Sequence, residues 1–325
     1  MLQRNYTIDA FRIIGAFCVV ALHSPLGSLP NALALAIRLG SRWAVPFFFM
    51  VSGYFVAQKL RTTKSLNISA ATNNLLAILI VVNLFYCLFY VLDNNPATNI
   101  KLTFIGLIIG QSGHLWFIGS SILGLLVLQY LASRYSDKTL LLVALGVLLF
   151  ILIGDGYSSL SSITIQYEVA RYLTSIPFLL IGFLLARQER VLAQLSVKAC
   201  VAIAISGLLI EGAEAIALYK AFGAGPHNQE LLVGTCLLAV GLFCLSLKFV
   251  TVQENALSKA GKTYSLLIYL YHPIVISILF AKIDLGHYNS YAYWVSPLLV
   301  FGSLLLVLKL IHRFSQPTFK VISGL

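Results

Sequence analysis

Long apolar runs separated by short polar segments recur along the whole chain. Most runs approach the roughly 20 residues that an α-helix needs to cross the hydrocarbon core of a bilayer. The pattern therefore predicts an all-α polytopic membrane protein, with a single transmembrane domain over residues 1–325. A further apolar piece, 102–110, is too short to span alone and suggests a re-entrant or interfacial turn. The predicted spans, about ten in number, are 8–29, 43–58, 75–92, 114–131, 139–153, 169–186, 199–219, 230–248, 263–281 and 293–311.

The composition agrees with a bundle in lipid. Hydrophobic residues make up 59% of the chain and charged residues only 10%, with a mean hydropathy of +0.90. A soluble domain carries about 25% charged residues, so this chain has too little polar surface to cover a water-soluble globule. The net charge of +11 does not indicate nucleic acid, because the basic residues are scattered between apolar runs and form no basic stripe.

The positions of the basic residues predict the orientation in the membrane. Cytoplasmic loops of membrane proteins carry an excess of Lys and Arg. With ten spans and the N-terminus inside, 16 of the 22 Lys and Arg residues fall on the inner side. Both termini are therefore expected in the cytoplasm. The basic residues left on the outer side are Arg38, Arg42, Lys101, Arg171, Lys220 and Lys282.

Two ionisable residues lie on the first predicted helix, and such residues inside a membrane are candidates for function. Arg12 and His23 are eleven positions apart, so they share one helix face at an axial separation of about 16 Å. Arg12 lies near the cytoplasmic end and His23 in the outer half. A simpler interpretation of Arg12 is a snorkelling residue paired with Asp9. A simpler interpretation of His23 is that it makes a structural hydrogen bond between helices.

The pattern I-D-x-x-R followed by a histidine resembles the signature of acyltransferase family 3, which contains integral membrane O-acyltransferases that modify bacterial surface glycans. Three further blocks agree with that family in order and spacing, and a bundle of ten helices is what the resemblance implies. The similarity is to the short, membrane-only members, among them O-acetyltransferases of surface polysaccharides. One departure is that small residues, 119–121, follow the His-x-Trp block. The matching segments are Ile8, Asp9, Arg12 and His23, then Arg42–Phe55, Gly113–Phe117 and Tyr264–Pro273.

The resemblance implies acyl transfer from acyl-CoA, most simply acetyl-CoA, to a hydroxyl group. That reaction needs a base for the hydroxyl proton and donors for the developing oxyanion. A neutral imidazole can accept the proton, so His23 is expected to be the catalytic base, and a transient acyl-His is the less favoured variant. Arg12 is expected to bind the coenzyme phosphates, with Lys59 and Arg61 at the nucleotide end. A positive-inside loop explains Lys59 and Arg61 equally well.

Four further residues are expected to bind the acceptor, three of them with a structural alternative. Arg42 can polarise the carbonyl or hold an anionic acceptor, but it also suits an interfacial anchor. Trp116 suits an aromatic belt, and His114 can orient the acceptor. His272 precedes Pro273, where it can serve the site or make a structural hydrogen bond.

Other functions remain open at this stage. The first rival is a transporter of a small polar metabolite or of an acylated substrate, although no internal repeat or matching pair of broken helices supports it. A second rival is a non-catalytic membrane partner. Glu211 and Glu214, at i and i+3, would suit proton coupling, although solvation near the outer end explains Glu214 as well. No metal motif or phosphate loop is evident.

The expected location is the bacterial inner membrane. The expected partners are lipid, acyl-CoA and a surface glycan or lipid-linked saccharide. The sequence leaves the oligomeric state open, and a homo-oligomer is one possibility.

Overall fold

The fold was analysed in a computed structural model of the chain. Within the part that it describes, the regular structure consists of helices and contains no strand. The side chains of residues 104, 105 and 189 are not described. The described residues are 4–27, 29–63, 66–92, 103–224, 231–251 and 253–324.

The long helices confirm the predicted all-α membrane fold. Eight candidate spans are long and apolar enough to cross a bilayer, and two shorter apolar helices, of 10–17 residues, accompany them in the described chain. Each of these ten elements overlaps one predicted span. The cytoplasmic position of the termini stays a prediction. The helices of these ten elements, of which α6 and α12 are the shorter apolar ones, are α1 (Tyr6–His23), α3 (Ala44–Thr63), α4 (Ser69–Leu92), α6 (Trp116–Ala132), α7 (Asp137–Ile151), α9 (Tyr167–Arg187), α11 (Val197–Phe222), α12 (Val233–Lys248), α13 (Ala256–Ile276) and α15 (Ser296–Phe314).

Short helices fill the connections. The predicted turn at 102–110 contains a helix capped by Thr103, whose side chain accepts a hydrogen bond from the Gly106 amide; residues 101 and 102 lie outside the described chain. Two spans end in π-helical segments, Leu152–Gly156 after α7 and Ser277–Lys282 after α13. The short elements are α2 (Asn31–Leu39), α5 (Phe104–Ile109), α8 (Ser158–Ser161), α10 (Glu189–Gln194), α14 (Leu285–Tyr288), a 3₁₀ turn at Ser290–Tyr293 and α16 (Gln316–Ile322).

Glycines let the central helices approach closely. Helix α1 packs along α13, and a Cβ atom at Gly261 of α13 would overlap the carbonyl oxygen of Asp9. In the same way α3 packs along α9, where Gly53 lies against the backbone of Leu179. Small residues are the usual means by which membrane helices pack closely, because lipid supplies no hydrophobic driving force between them. Helix α1 also packs against α3, so α1, α3 and α13, which carry most of the predicted site residues, lie in one group.

Candidate active site

Helix α1 holds an ion-pair cluster at its first turns. Asn5 caps the helix by accepting a hydrogen bond from the Thr7 amide at 3.0 Å. The side chain of Asp9 is fully buried and accepts from Arg4 Nε at 2.8 Å and from Arg12 Nη1 at 3.0 Å. The pairing of Arg12 with Asp9 is therefore present. It leaves Arg12 half-buried, with its side chain lining two internal cavities, so the pairing and a binding role are compatible.

His23, the last residue of α1, meets two other histidines. Its ring centroid lies 5.2 Å from that of His272 on α13, and the centroid of His272 lies 5.2 Å from that of His114. Three histidines that are distant in the sequence thus form a row at one end of the bundle. His23 is exposed, whereas His114 and His272 are buried. The sequence predicted each as a site residue but did not predict that they meet.

The hydrogen bonds of His272 indicate its tautomer. Nδ1 donates to the carbonyl oxygen of Tyr269 at 2.7 Å and lies 3.2 Å from that of Ile268. Since a neutral imidazole has one donor and one acceptor nitrogen, Nε2 carries the lone pair. This atom is buried and has no hydrogen-bond partner among the described residues. His272 therefore makes the structural hydrogen bond and also retains an acceptor close to the ring of His23.

His114 is held at both nitrogens. Nε2 lies 2.9 Å from the carbonyl oxygen of Leu270, so it is the donor, and Nδ1 accepts from the Ser112 hydroxyl at 3.1 Å. The hydroxyl of Tyr269 donates to the His114 carbonyl oxygen. These bonds anchor the start of α6 to α13, and they favour a supporting role for His114. No group of three or more His, Cys, Asp or Glu that could hold a metal occurs among the described residues.

An outer cavity of about 230 Å³ opens beside His23. Its wall includes Trp116, which is buried, and three half-buried arginines, Arg38, Arg42 and Arg171. His114 and His272 do not line this cavity. Arg42 and Trp116 are residues that the sequence predicts at the site, whereas Arg38 and Arg171 were expected only as charges on the outer side. The available signal was that all three arginines fall close to span ends on the side that otherwise holds few cations.

Two further cavities lie on the other side of Tyr269. One, of about 230 Å³, is lined by Tyr269 and by Arg12, and the next, of about 520 Å³, is lined by Arg12 and Lys59. Ser52 and Phe55 line both of these inner cavities, and Tyr269 lines the outer cavity too. The three cavities therefore follow one another from the Arg12 end of α1 to the His23 end.

An aromatic layer lies between the outer and inner cavities. The rings of Phe117 and Tyr269 are 5.0 Å apart, and Phe49 stacks on Phe117 at 4.7 Å. All three side chains are buried. Phe49 of α3 thus forms part of the wall between the cavities. Tyr269, which the sequence analysis did not single out as a site residue, forms the common boundary of the outer and middle cavities.

The basic residues at the other end of α3 differ in position. Lys59 lines the largest of these three cavities, and its Nζ donates to the Asn67 carbonyl oxygen at 3.2 Å. The guanidinium group of Arg61 instead donates to the carbonyl oxygen of Ala186 on α9, and Arg61 is not part of the cavity wall. Lys64 lies outside the described residues. The geometry thus favours Lys59 over Arg61 as a residue that faces a ligand.

The two glutamates of α11 lie apart from the cavities. Glu211 is fully buried and accepts from the Thr235 hydroxyl at 2.8 Å. Glu214 accepts from the hydroxyl of Tyr157 and, at 3.0 Å, from the Gly234 amide. These bonds tie α11 to α12 and to Tyr157, which follows the π-helical segment after α7, so hydrogen bonds within the protein, rather than solvation alone, account for Glu214. Arg42 lies close enough to Glu211 for the two side chains to interact.

The comparisons with known proteins agree with this architecture. A family model described as an acyltransferase domain matches residues 5–324. A protein named serine/alanine racemase from Enterococcus gallinarum is 28% identical over 342 residues, which covers 96% of this chain and 47% of that protein. An amino-acid racemase from Enterococcus faecalis is 28% identical, over 86% of this chain and 42% of that protein.

This chain spans less than half the length of these curated relatives. Those proteins contain much more than the matched region. No solved structure matches the chain significantly. The family model, by contrast, covers nearly every residue and includes all four sequence blocks that suggested the resemblance. The chain is a multi-pass membrane protein that belongs to acyltransferase family 3.

Proposed function

We propose that this protein transfers an acyl group, most simply acetyl, from cytoplasmic acyl-CoA to a hydroxyl group at the opposite face of the membrane. The observation that carries the proposal is the succession of three cavities along α1, with Arg12 at one end and His23 at the other. A donor and an acceptor on opposite sides of a bilayer need a path of this kind. Membership of an acyltransferase family supports the reaction class.

The reaction places His23 at the reacting atoms. The acceptor hydroxyl attacks the thioester carbonyl carbon while His23 takes the hydroxyl proton. The resulting tetrahedral intermediate carries an oxyanion, which a positioned cation stabilises; Arg42, in the same cavity as His23, is the candidate. The intermediate then collapses, the carbon–sulfur bond breaks, and the proton on His23 returns to the leaving thiolate. The products are an O-acyl ester and free coenzyme A.

The donor is expected to enter through the largest cavity. Coenzyme A is a polyanion, and Arg12 and Lys59 provide cations in the wall of that cavity. The narrower middle cavity, lined by Ser52 and Phe117 among others, suits the uncharged pantetheine arm. In this arrangement Arg12 binds the coenzyme and not the acceptor, and Arg61 contributes to packing against α9.

The proposed acceptor is a surface glycan or a lipid-linked saccharide, and the proposed location is the bacterial inner membrane. Trp116, in the wall of the outer cavity, offers a ring face on which a sugar can pack. Together with the predicted cytoplasmic termini, this position of Trp116 supports acceptor binding on the outer side.

Binding and hydrolysis of acetyl-CoA by the purified full-length protein in detergent test the proposal. We expect wild type to bind acetyl-CoA and to release free coenzyme A slowly without an acceptor and faster with one. His23→Ala should bind acetyl-CoA with unchanged affinity but release coenzyme A at least about 100-fold more slowly, the usual scale of a lost general base. His287→Ala is the matched control, because His287 is exposed and lies outside all three cavities. Absence of any affinity for acetyl-CoA would show that the proposal is wrong.

A second candidate is transport of a small polar metabolite, such as an amino acid. Cavities on both sides of Tyr269 favour it, since a transporter also needs access from each face. The names of the two racemases give the class of compound to try first. Uptake of labelled serine or alanine by sealed vesicles without coenzyme A would support transport, and it would be unaffected by added acetyl-CoA.

A further inference from the structure

The outer cavity concentrates positive charge from three separate elements. Arg38 lies on α2, Arg42 on the connection into α3, and Arg171 on α9. The wall of this cavity contains no Asp or Glu among the described residues. An arginine that only anchors a helix at the interface extends outwards to water or headgroups. Here three half-buried arginines converge on one space, at a cost in mutual repulsion that a bound anion would relieve.

Contacts hold Arg38 close to His23. The Nη1 atom of Arg38 donates to the carbonyl oxygen of Leu22 at 3.3 Å. Leu22 directly precedes His23 at the end of α1. This bond fixes the guanidinium group of α2 against the last turn of the helix that carries the proposed base. A group held by Arg38 is therefore next to the reacting end of the cavity.

Arg171 is held in place by aromatic rings. Its guanidinium carbon lies 3.8 Å from the ring centroid of Tyr167 and 5.4 Å from that of Trp116, and Nη2 donates to the Tyr167 hydroxyl. Stacking on a ring face fixes the plane of the guanidinium group, whose five N–H donors suit bidentate binding of a carboxylate or phosphate. Both rings belong to residues that line the cavity. The aromatic contacts thus prepare Arg171 for a planar anionic ligand.

Arg42 has a separate role among the three arginines. The carboxyl group of Glu211 interacts with Arg42 from outside the cavity wall. Arg42 is therefore suited to a fixed position beside the reacting carbonyl. The anion-binding capacity rests on Arg38 and Arg171.

We infer that the outer cavity recognises its ligand through an acidic group, a carboxylate or a phosphate, held by Arg38 and Arg171 next to the hydroxyl that His23 activates. The inference rests on the proposed function for the identity of the ligand as an acyl acceptor. The volume of about 230 Å³ accommodates the reacting end of such an acceptor and not an extended glycan. The substrate class is thus an acidic hydroxyl compound, such as an acidic sugar or a sugar phosphate.

Three matched probes test this inference on the full-length protein in neutral detergent. Methyl glucoside, methyl glucuronide and methyl glucoside 6-phosphate share a sugar ring and free hydroxyl groups but differ in charge. Titration calorimetry should give at least tenfold tighter binding of one or both acidic probes, weakening as salt is added. Arg38→Gln and Arg171→Gln should each reduce that affinity at least tenfold and change binding of the neutral glucoside less than twofold. Arg134→Gln is the control, because Arg134 is exposed, stacks on Tyr130 at 4.2 Å and lies outside the cavities.

The outcomes separate this inference from the proposed function. Equal binding of all three probes, or none, would overturn the inference, as would arginine variants that weaken neutral and acidic probes alike. A lipid headgroup site would replace the inference if wild type retained phosphatidylglycerol, both arginine variants lost it, and wild type showed no preference for the acidic sugars. Acid-selective binding without release of coenzyme A from acetyl-CoA would leave the inference standing and count against acyl transfer alone. Transfer without acid selectivity would do the reverse.

Discussion

The ring centroids of His23 and His272 lie 5.2 Å apart, with the planes inclined by 34°. His272 is fully buried, and its Nδ1 proton is directed to the Tyr269 carbonyl oxygen. The geometry leaves Nε2 as an acceptor within the row of histidines. Such an acceptor can orient a proton donor, either on His23 or on a hydroxyl group bound beside His23. His272 is thus a candidate positioning residue for the proposed base.

Two amide substitutions at His272 distinguish its two nitrogens. Asparagine can place its amide where Nδ1 lies and preserve the bond to the Tyr269 carbonyl oxygen, whereas glutamine can reach the position of Nε2. If Nε2 orients the reacting group, His272→Gln should keep more activity than His272→Asn. The kcat of the His272→Asn variant should be at least about tenfold below that of wild type. The KM for acetyl-CoA should stay constant, because the donor cavities do not include His272.

The order of the two variants decides between positioning and structure. A purely structural His272 would make Asn the better substitute, since an unsatisfied buried carbonyl group costs about 1–3 kcal/mol. Thermal stability in detergent, measured on both variants, separates that effect from turnover. A stable Asn variant with full activity would contradict the positioning role.

The succession of cavities predicts a sensitive position at Ser52. Its side chain lines both inner cavities and donates to the Phe48 carbonyl oxygen at 3.0 Å. A leucine at this position would fill the junction, so Ser52→Leu should lower the rate of acetyl transfer at least tenfold. Affinity for coenzyme A phosphates, read from binding of 3′,5′-ADP, should change little, because Arg12 and Lys59 remain in place.

Ser303→Leu is the matched control for Ser52→Leu. Ser303 on α15 makes the same type of bond, to the Leu299 carbonyl oxygen at 2.6 Å, and is also half-buried but lines none of the three cavities. Transfer by this variant should match wild type. Equal activity of the Ser52 and Ser303 variants would mean that the donor does not pass the junction.

The helices were predictable because each span is a long apolar run, and length and hydropathy alone decide whether a segment can cross a bilayer. The shared face of Arg12 and His23 followed from helical period within one element. The meeting of His23 with His272 did not follow, because it depends on how α1 packs along α13. Arg38 and Arg171 were missed for the same reason. In the sequence, a basic residue at the end of a span has the same context whether its side chain faces lipid headgroups or a cavity.

The buried carboxyl group of Asp9 predicts a stability difference between two acidic residues. Asp9 is fully buried between Arg4 and Arg12. Removing its charge leaves both cations without their partner, so Asp9→Asn should destabilise the fold by about 1–3 kcal/mol, less than the 3–5 kcal/mol of a fully buried pair because the arginines are partly exposed. Denaturation in mixed micelles measures the change, and the affinity for acetyl-CoA should fall as Arg12 loses its support.

Asp137 provides the comparison. It pairs with Arg187 at 2.8 Å, but both side chains are substantially exposed, at 28% and 39%. Such pairs contribute at most about 1 kcal/mol, so Asp137→Asn should leave stability and coenzyme binding nearly unchanged. If the two variants lost equal stability, burial of Asp9 would not be the deciding factor.

The contact between α1 and α13 makes Gly261 the most sensitive glycine of the site. A Cβ atom there would overlap the backbone carbonyl oxygen of Asp9, which a side-chain rotation cannot relieve. Gly261→Ala should therefore separate the two helices and cost at least the 1–3 kcal/mol that is typical of overpacking. Because α1 carries His23 and α13 carries His272, the same change should reduce transfer even in the protein that remains folded. Gly302→Ala on α15, where a Cβ meets no atom within 4 Å, should keep wild-type melting temperature and activity. A Gly261→Ala protein with unchanged melting temperature and turnover would show that the close approach of α1 and α13 is not required to hold the histidines together.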